Sequence, residues 1–196
     1  MKIAKILFLL FIALCLYMPS QAQQTADDYF KSADEKYGRE DYQGAIEDYT
    51  KAIALDPKEP ISYLNRGVAK YALKQYREAI QDYDKAISLA PPKDIIVYYN
   101  RALAYHALKD YKGVIQSYDK ALELEPDNPS LYNNRGIAKY NSEQYEAAIQ
   151  DYTKAIELDA QNATAYRNRG LCKEMLQDKE GAEKDFQKAL EIRGKN

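Results

Sequence analysis

Apolar and polar positions along this chain repeat on two scales at once. At short range, Tyr76, Ala79, Ile80, Tyr83, Ala86 and Ile87 follow the i, i+3, i+4, i+7 spacing of one helical face. Just before them, Tyr63, Gly67 and Tyr71 fall four apart and mark one face of a preceding helix, with Leu73-Lys74-Gln75 as the turn between the two. At long range the whole pattern returns. Tyr29, Tyr63, Tyr98, Tyr132 and Tyr166 are spaced 34, 35, 34 and 34 residues apart, and Tyr49, Tyr83, Tyr118, Tyr152 and Phe186 keep the same intervals, as do Ala52, Ala86, Ala121, Ala155 and Ala189. The one extra residue falls within Pro91-Pro92-Lys93-Asp94-Ile95, a turn segment, where an insertion disturbs no helix.

The pattern therefore predicts five units of two helices each. Pro57, Pro91 and Pro126 close three of the second helices, because proline bars the residue before it from helix and has no amide to donate. Small residues recur where paired helices must approach: Ala33, Gly67, Ala102, Gly136 and Gly170 on the first helices, Ala45, Ala79, Ala148 and Ala182 on the second, with the bulkier Val114 in unit three. Composition now has a positional explanation. A third series, Tyr42, Tyr76, Tyr111 and Tyr145, lapses only at Lys179, so 13 of the 19 tyrosines occupy three slots.

An aromatic near the start, then a small residue, a second aromatic, alanine–x3–aromatic and a closing proline is the pattern of tetratricopeptide repeats. Tyr63, Gly67, Tyr71, Ala79, Tyr83 and Pro91 answer it in turn, and the chain resembles that family from Ala26 to Gly194. It departs in having tyrosine for the family's tryptophan, Ala160 and Gly194 in the closing-proline slot, and Lys179 in the third-aromatic slot. The resemblance implies an all-α fold, a right-handed superhelical array of antiparallel helix pairs with first helices lining the concave side. One pair cannot bury its apolar face alone, so stacking must build the core. The expected organisation is a leader at 1–22, a short segment at 23–25 and a repeat domain at 26–194, with units near 26–59, 60–93, 95–128, 129–162 and 163–196.

The leader differs from everything after it. Lys2 and Lys5 precede an uncharged run from Ile6 to Met18, then Pro19-Ser20-Gln21-Ala22, which reads as a secretory signal cut after Ala22. The run is short for a membrane-spanning helix, which needs ~20 residues, although a retained anchor is the alternative. Export is thus expected, to a periplasm first, with a secreted or envelope-associated location as alternatives. Lysine and arginine number 28 against 30 acidic residues, and losing Lys2 and Lys5 leaves a balance of about −4. Neither a nucleic-acid footprint nor a polybasic membrane patch is present in that balance, so membrane association would come through a partner or an uncleaved leader. Cys15 would leave with the leader, and Cys172 alone makes no internal disulfide.

Candidate chemistry is sparse. His106 is the single histidine, each glycine sits in a packing or turn slot, and acidic residues recur on exposed faces. No catalytic group, metal site, cofactor or small-molecule substrate is expected.

Spacing instead picks out a groove-facing stripe on the first helices: Ile61, Leu64, Asn65, Val68 and Tyr71 or Ala72 in unit two, Ile96, Tyr99, Asn100, Leu103 and His106 in unit three, and Ser130, Asn133, Asn134, Ile137 and Tyr140 in unit four. An apolar surface with a polar border marks a protein contact, although packing against neighbouring helices would also explain Val68, Leu103 and Ile137. Asn65, Asn100, Asn134 and Asn168 share one slot. Their carboxamides suit the backbone of an extended peptide or, equally, an ordering role within the stack. Arg66, Arg101, Arg135 and Arg169 stand beside them. Pairing each with the preceding unit's acid gives Asp48–Arg66, Asp82–Arg101 and Asp151–Arg169, with Arg135 facing Ser117. The cationic clamp by which chaperone-tail-binding relatives hold a carboxylate is mostly missing: Phe30, Asp34, Ile96 and Asn100 occupy its slots.

These readings point to an exported scaffold or adaptor that holds a protein or peptide segment in its groove. The alternative is a structural subunit assembling through convex or end-on contacts. Unit five carries Glu183 and Lys179 where other units have isoleucine and tyrosine, and its outer face is a candidate contact for a second copy.

Overall fold

The computed structural model describes residues 24–194. The leader, its cleavage point and Cys15 lie outside the described residues. Within them are ten helices and no strand: α1 (Ala26–Gly38), α2 (Tyr42–Leu55), α3 (Pro60–Ala72), α4 (Tyr76–Leu89), α5 (Ile96–Ala107), α6 (Tyr111–Leu124), α7 (Pro129–Asn141), α8 (Tyr145–Leu158), α9 (Ala163–Met175) and α10 (Lys179–Arg193). Consecutive helices pack as five hairpins, and each hairpin packs on the next. In addition α3 touches α5 and α7 touches α9. Direct contact between successive first helices places them on the inner side of the curved stack.

Local sequence sets where each helix stops. The second helices end at Leu55, Leu89 and Leu124, two residues before Pro57, Pro91 and Pro126. Pro60 and Pro129 open α3 and α7, where a missing amide costs nothing. Every turn inside a hairpin uses one device. Glu40, Lys74, Lys109, Glu143 and Gln177 take left-handed backbone, with φ of 63°, 61°, 58°, 61° and 65°. The next amide then reaches back to an orphan helix carbonyl: Asp41 to Lys36, Gln75 to Lys70, Asp110 to Tyr105, Gln144 to Lys139 and Asp178 to Lys173, all within 3.0 Å. Not one of these five residues is glycine.

The helix that follows is capped in one of two ways. Asp41, Asp110 and Asp178 accept from the amides of Gly44, Gly113 and Gly181, whereas Gln75 and Gln144 make no side-chain cap. Aspartate and glycine travel together for a steric reason. A methyl group on Gly44 or Gly181 would stand 2.2 Å from the capping carboxylate.

No hairpin closes its own core. One cluster joins Ile53 of repeat one, Tyr83 of repeat two and Val97 of repeat three; another joins Tyr118 to Leu131, and a third Tyr152 to Cys172. Burial thus spans every junction, as a linear array requires. The five small residues on the first helices are all buried, but they act in two ways. Added methyl groups on Gly67, Gly136 and Gly170 would stand 2.6–2.7 Å from the rings of Tyr83, Tyr152 and Phe186. In repeats one and three the slot holds Ala33 and Ala102, and there the rings of Tyr49 and Tyr118 lie edge-on to Phe30 and Tyr99.

Candidate functional site

The first helices carry a ladder of charge that the sequence reading paired wrongly. Three of the four arginines grip the slot acid of their own repeat, and none takes the slot acid of the preceding one. Arg66 holds Asp82 through Nε and Nη2 at 2.9 and 2.7 Å, Arg135 holds Asp151 at 2.9 and 2.6 Å, and Arg169 holds Asp185 at 2.9 and 2.7 Å. Arg101 reaches Ser117 at 3.1 Å. The two slots lie sixteen residues apart, so the hairpin turn folds one directly onto the other. Asp48 is left with Ser32, Lys36 and Lys51.

The remaining nitrogen, Nη1, makes the junction. It reaches back to Thr50, Asp84, Asp119 and Thr153 of the preceding repeat at 3.1, 2.8, 2.6 and 3.1 Å. The same guanidiniums lie 5.5 Å over Tyr63, Tyr98, Tyr132 and Tyr166. A lysine slot missed in the sequence completes the unit: Lys70, Lys139 and Lys173 lie 2.7–2.8 Å from Asp82, Asp151 and Asp185. Its own 34-residue period would have revealed it. Repeat one, with no preceding repeat among the described residues, replaces the arginine by Ser32 on Asp48 and by Lys51, which covers Tyr29 at 5.1 Å.

The groove stripe occupies a different side of the first helices, since Leu64 and Val68 each stand two residues from Arg66, and its residues divide. Leu64, Val68 and Tyr71 pack on the first core cluster, Tyr99 on the second, and Ile137 and Tyr140 on the third. Tyr71, His106 and Tyr140 meet Tyr76, Tyr111 and Tyr145 at 5.3, 6.2 and 5.5 Å across their turns. These side chains hold the hairpins while their outer edges stay open. Leu103 is half-buried outside the clusters, His106 is exposed, and Ile61 and Ile96 are exposed at the helix starts. Ile61, Leu64, Ile96 and Val97, with Pro91 and Pro92 from the inserted turn, line an apolar recess of about 270 Å³.

The asparagine ladder also divides. Asn65 donates to Asp34 at 3.3 Å and stands beside the Tyr49 hydroxyl, Asn134 stands beside the Tyr118 hydroxyl, and Asn168 donates to Asn133 at 3.4 Å. All four partners belong to the preceding repeat, so these amides help order the stack. Tyrosine is within reach only after Ala33 and Ala102, where the ring is not drawn into a glycine notch. Asn100 follows Gly67 and Tyr83, and it has no side-chain hydrogen bond to any described residue. Burial, then the adjacent Asp34 carboxylate, raises the Tyr49 hydroxyl well above its ordinary value, so it stays a donor to Asp34.

The repeat geometry agrees with comparison to known proteins. Profiles of the tetratricopeptide repeat match residues 60–92, 95–128, 117–150 and 163–196, and a TPR repeat profile matches 33–74 and 138–177. The chain belongs to the tetratricopeptide-repeat family. No curated protein sequence matches it.

Among solved structures, a crystal structure of MamA shares 26% identity with a TM-score of 0.76, covering 83% of this chain and 95% of that one. MamA 41-end from Desulfovibrio magneticus RS-1 shares 21% identity, covers 87% of this chain and 96% of that one, and has a TM-score of 0.77. YrrB, described as a TPR protein with an unusual peptide-binding site, shares 21% identity, covers 89% of each chain and also has a TM-score of 0.77. The fold is thus the all-α right-handed superhelical array of antiparallel helix pairs that the sequence predicted.

Cys172, fully buried, has its thiol pushed up to about 11 by desolvation, which leaves it a packing residue rather than a nucleophile.

Proposed function

We propose that this chain is an exported, non-catalytic scaffold whose concave groove holds an extended segment of another protein. The observation that carries the reading is the composition of the inner stripe over repeats two to four. From Ile61 to Tyr140 its slots hold isoleucine, leucine, valine, tyrosine, asparagine and serine, with His106 the one titratable side chain besides tyrosine. Arg66, Lys70, Asp82, Arg135, Lys139 and Asp151 of these repeats are engaged with one another, in the ladder. Asn100, with its amide unspent, and the apolar recess between α3 and α5, lined by Ile96 one turn earlier on the same helix, supply a backbone anchor and a side-chain anchor. A peptide-binding site in YrrB supports the same use of this architecture. Export, to a periplasm first, rests on the leader sequence.

The test is crosslinking of the tagged chain in its own envelope, read by mass spectrometry, against groove variants. Leu103→Glu and Asn100→Ala should abolish a crosslink while circular dichroism stays helical. Asn134→Ala is a poorer probe, because Asn134 also stands beside the Tyr118 hydroxyl of the preceding repeat. A crosslink that survives both groove variants sinks the reading. It would favour the alternative, end-on assembly through repeat five, where Leu190 is 67% exposed and Met175 and Leu176 lie open on the last hairpin.

A further inference from the structure

Where repeats one and two meet, Asp34, Tyr37, Gly38, Tyr49, Asn65 and Val68 enclose a recess of about 210 Å³. Asp34 occupies the slot that Val68, Leu103 and Ile137 fill in the next repeats, so a carboxylate stands where the groove is otherwise apolar. Its surroundings differ from those of the ladder acids. Asp48, Asp82, Asp151 and Asp185 are each bridged by a cation. Asp34 is instead held by two neutral donors, the Tyr49 hydroxyl and Asn65 Nδ2, and no described lysine or arginine bridges it. The acid is positioned without being neutralised.

The rest of the recess fits a long cationic side chain. Asn65 spends its Nδ2 group on Asp34, which leaves Oδ1 free to accept. The Tyr37 ring is fixed edge-on against Tyr42 at 5.2 Å and presents a π surface, and Val68 offers an apolar wall. An ammonium or guanidinium group needs an anion, oxygen acceptors and preferably an aromatic face, and its methylene stem needs apolar contact. All of these meet here.

We propose that this recess binds a lysine or arginine side chain of the segment held in the groove, an inference that rests on the groove reading above. The bound segment then has a fixed direction, with its cation at repeats one and two and its uncharged, apolar part along repeats two to four.

Random dodecapeptides displayed on phage and selected on the purified chain test this directly. The expected result is enrichment of Lys or Arg at one position. In D34N that enrichment disappears and the selected peptide binds about tenfold more weakly. D34K should enrich Asp or Glu at the same position, a reversal that loss of structure cannot produce. Peptides that are lost with Leu103→Glu yet indifferent to both Asp34 variants overturn the cation recess and leave the groove standing. Peptides indifferent to Leu103→Glu, or no selected peptides, overturn both.

Discussion

Arg101 donates to Ser117 at 3.1 Å, where the three other arginines grip a buried carboxylate. The same repeat has Tyr105 in the slot of Lys36, Lys70, Lys139 and Lys173. Ser117 is fully buried and donates to the Gly113 carbonyl at 2.8 Å, while a methyl group on Gly113 would stand 2.4 Å from the Tyr105 ring. Acid and lysine have been exchanged together for a neutral arrangement. Ser117→Asp alone would bury a second charge beside an aromatic ring, and Tyr105→Lys alone would leave a cation without its acid. The double variant should therefore exceed the sum of the single ones by about 1–2 kcal/mol in denaturant unfolding. Additive effects would show that the slots are not coupled.

Arginines on the ladder should differ in importance. Arg135 bridges Asp151, which is 3% exposed, to Asp119 of the preceding repeat, so Arg135→Ala leaves a buried carboxylate with Lys139 as its remaining cation and is expected to cost about 2 kcal/mol. Arg101 spans a hydroxyl and the exposed Asp84, and Arg101→Ala should cost about 1 kcal/mol. Equal losses in urea unfolding would contradict the pairing described above.

The hairpin turns carry removable strain. Glu143 and Lys109 sit at φ of 61° and 58°, where a side chain is disfavoured and glycine is not. Glu143→Gly and Lys109→Gly should each stabilise the chain by up to about 1 kcal/mol, seen as a higher melting temperature. A lower one would mean that the side chains contribute contacts that outweigh the strain.

The glycine notch decides where a core tyrosine points. Gly67→Ala places a methyl group 2.6 Å from Tyr83 and should cost about 1–3 kcal/mol. The displaced ring should move toward Asn100, as Tyr49 and Tyr118 reach Asn65 and Asn134. The Asn100 side-chain amide resonances report this directly. Unshifted resonances alongside a stability loss would separate the notch from the asparagine ladder.

Acid should loosen repeat one. Burial alone would raise the Asp48 carboxyl, but hydrogen bonds from Lys36, Ser32 and Lys51 outweigh it and bring the group down from its ordinary 3.8 to about 2. A folded-state value below the unfolded one gives stability that is complete above pH 4 and lost as pH falls from there toward 2. Asp185 shifts the same way, because Arg169 and Lys173 outweigh its burial. Melting temperature should be flat near neutrality and fall below pH 4, and Asp48→Asn should flatten part of that fall.

The sequence by itself determined the number of repeats, the helix ends, the small-residue slots and the class of fold. Those follow from periodicity and from proline and turn chemistry, which act within a few residues. Tertiary structure alone decided which charges meet. Arg66 stands eighteen residues after Asp48 and sixteen before Asp82. Spacing cannot choose between them, because the choice depends on which side chain the hairpin turn lays opposite. The groove was legible as a stripe of slots, not as a site. Asn65, Asn100 and Asn134 look alike in the chain, yet only the ring positions set by Gly67, Ala33 and Ala102 leave Asn100 unengaged. Asp34 read as a gap in a clamp of another kind. Its place beside Tyr49 and Asn65, from a different helix and a different repeat, makes it an acid held open.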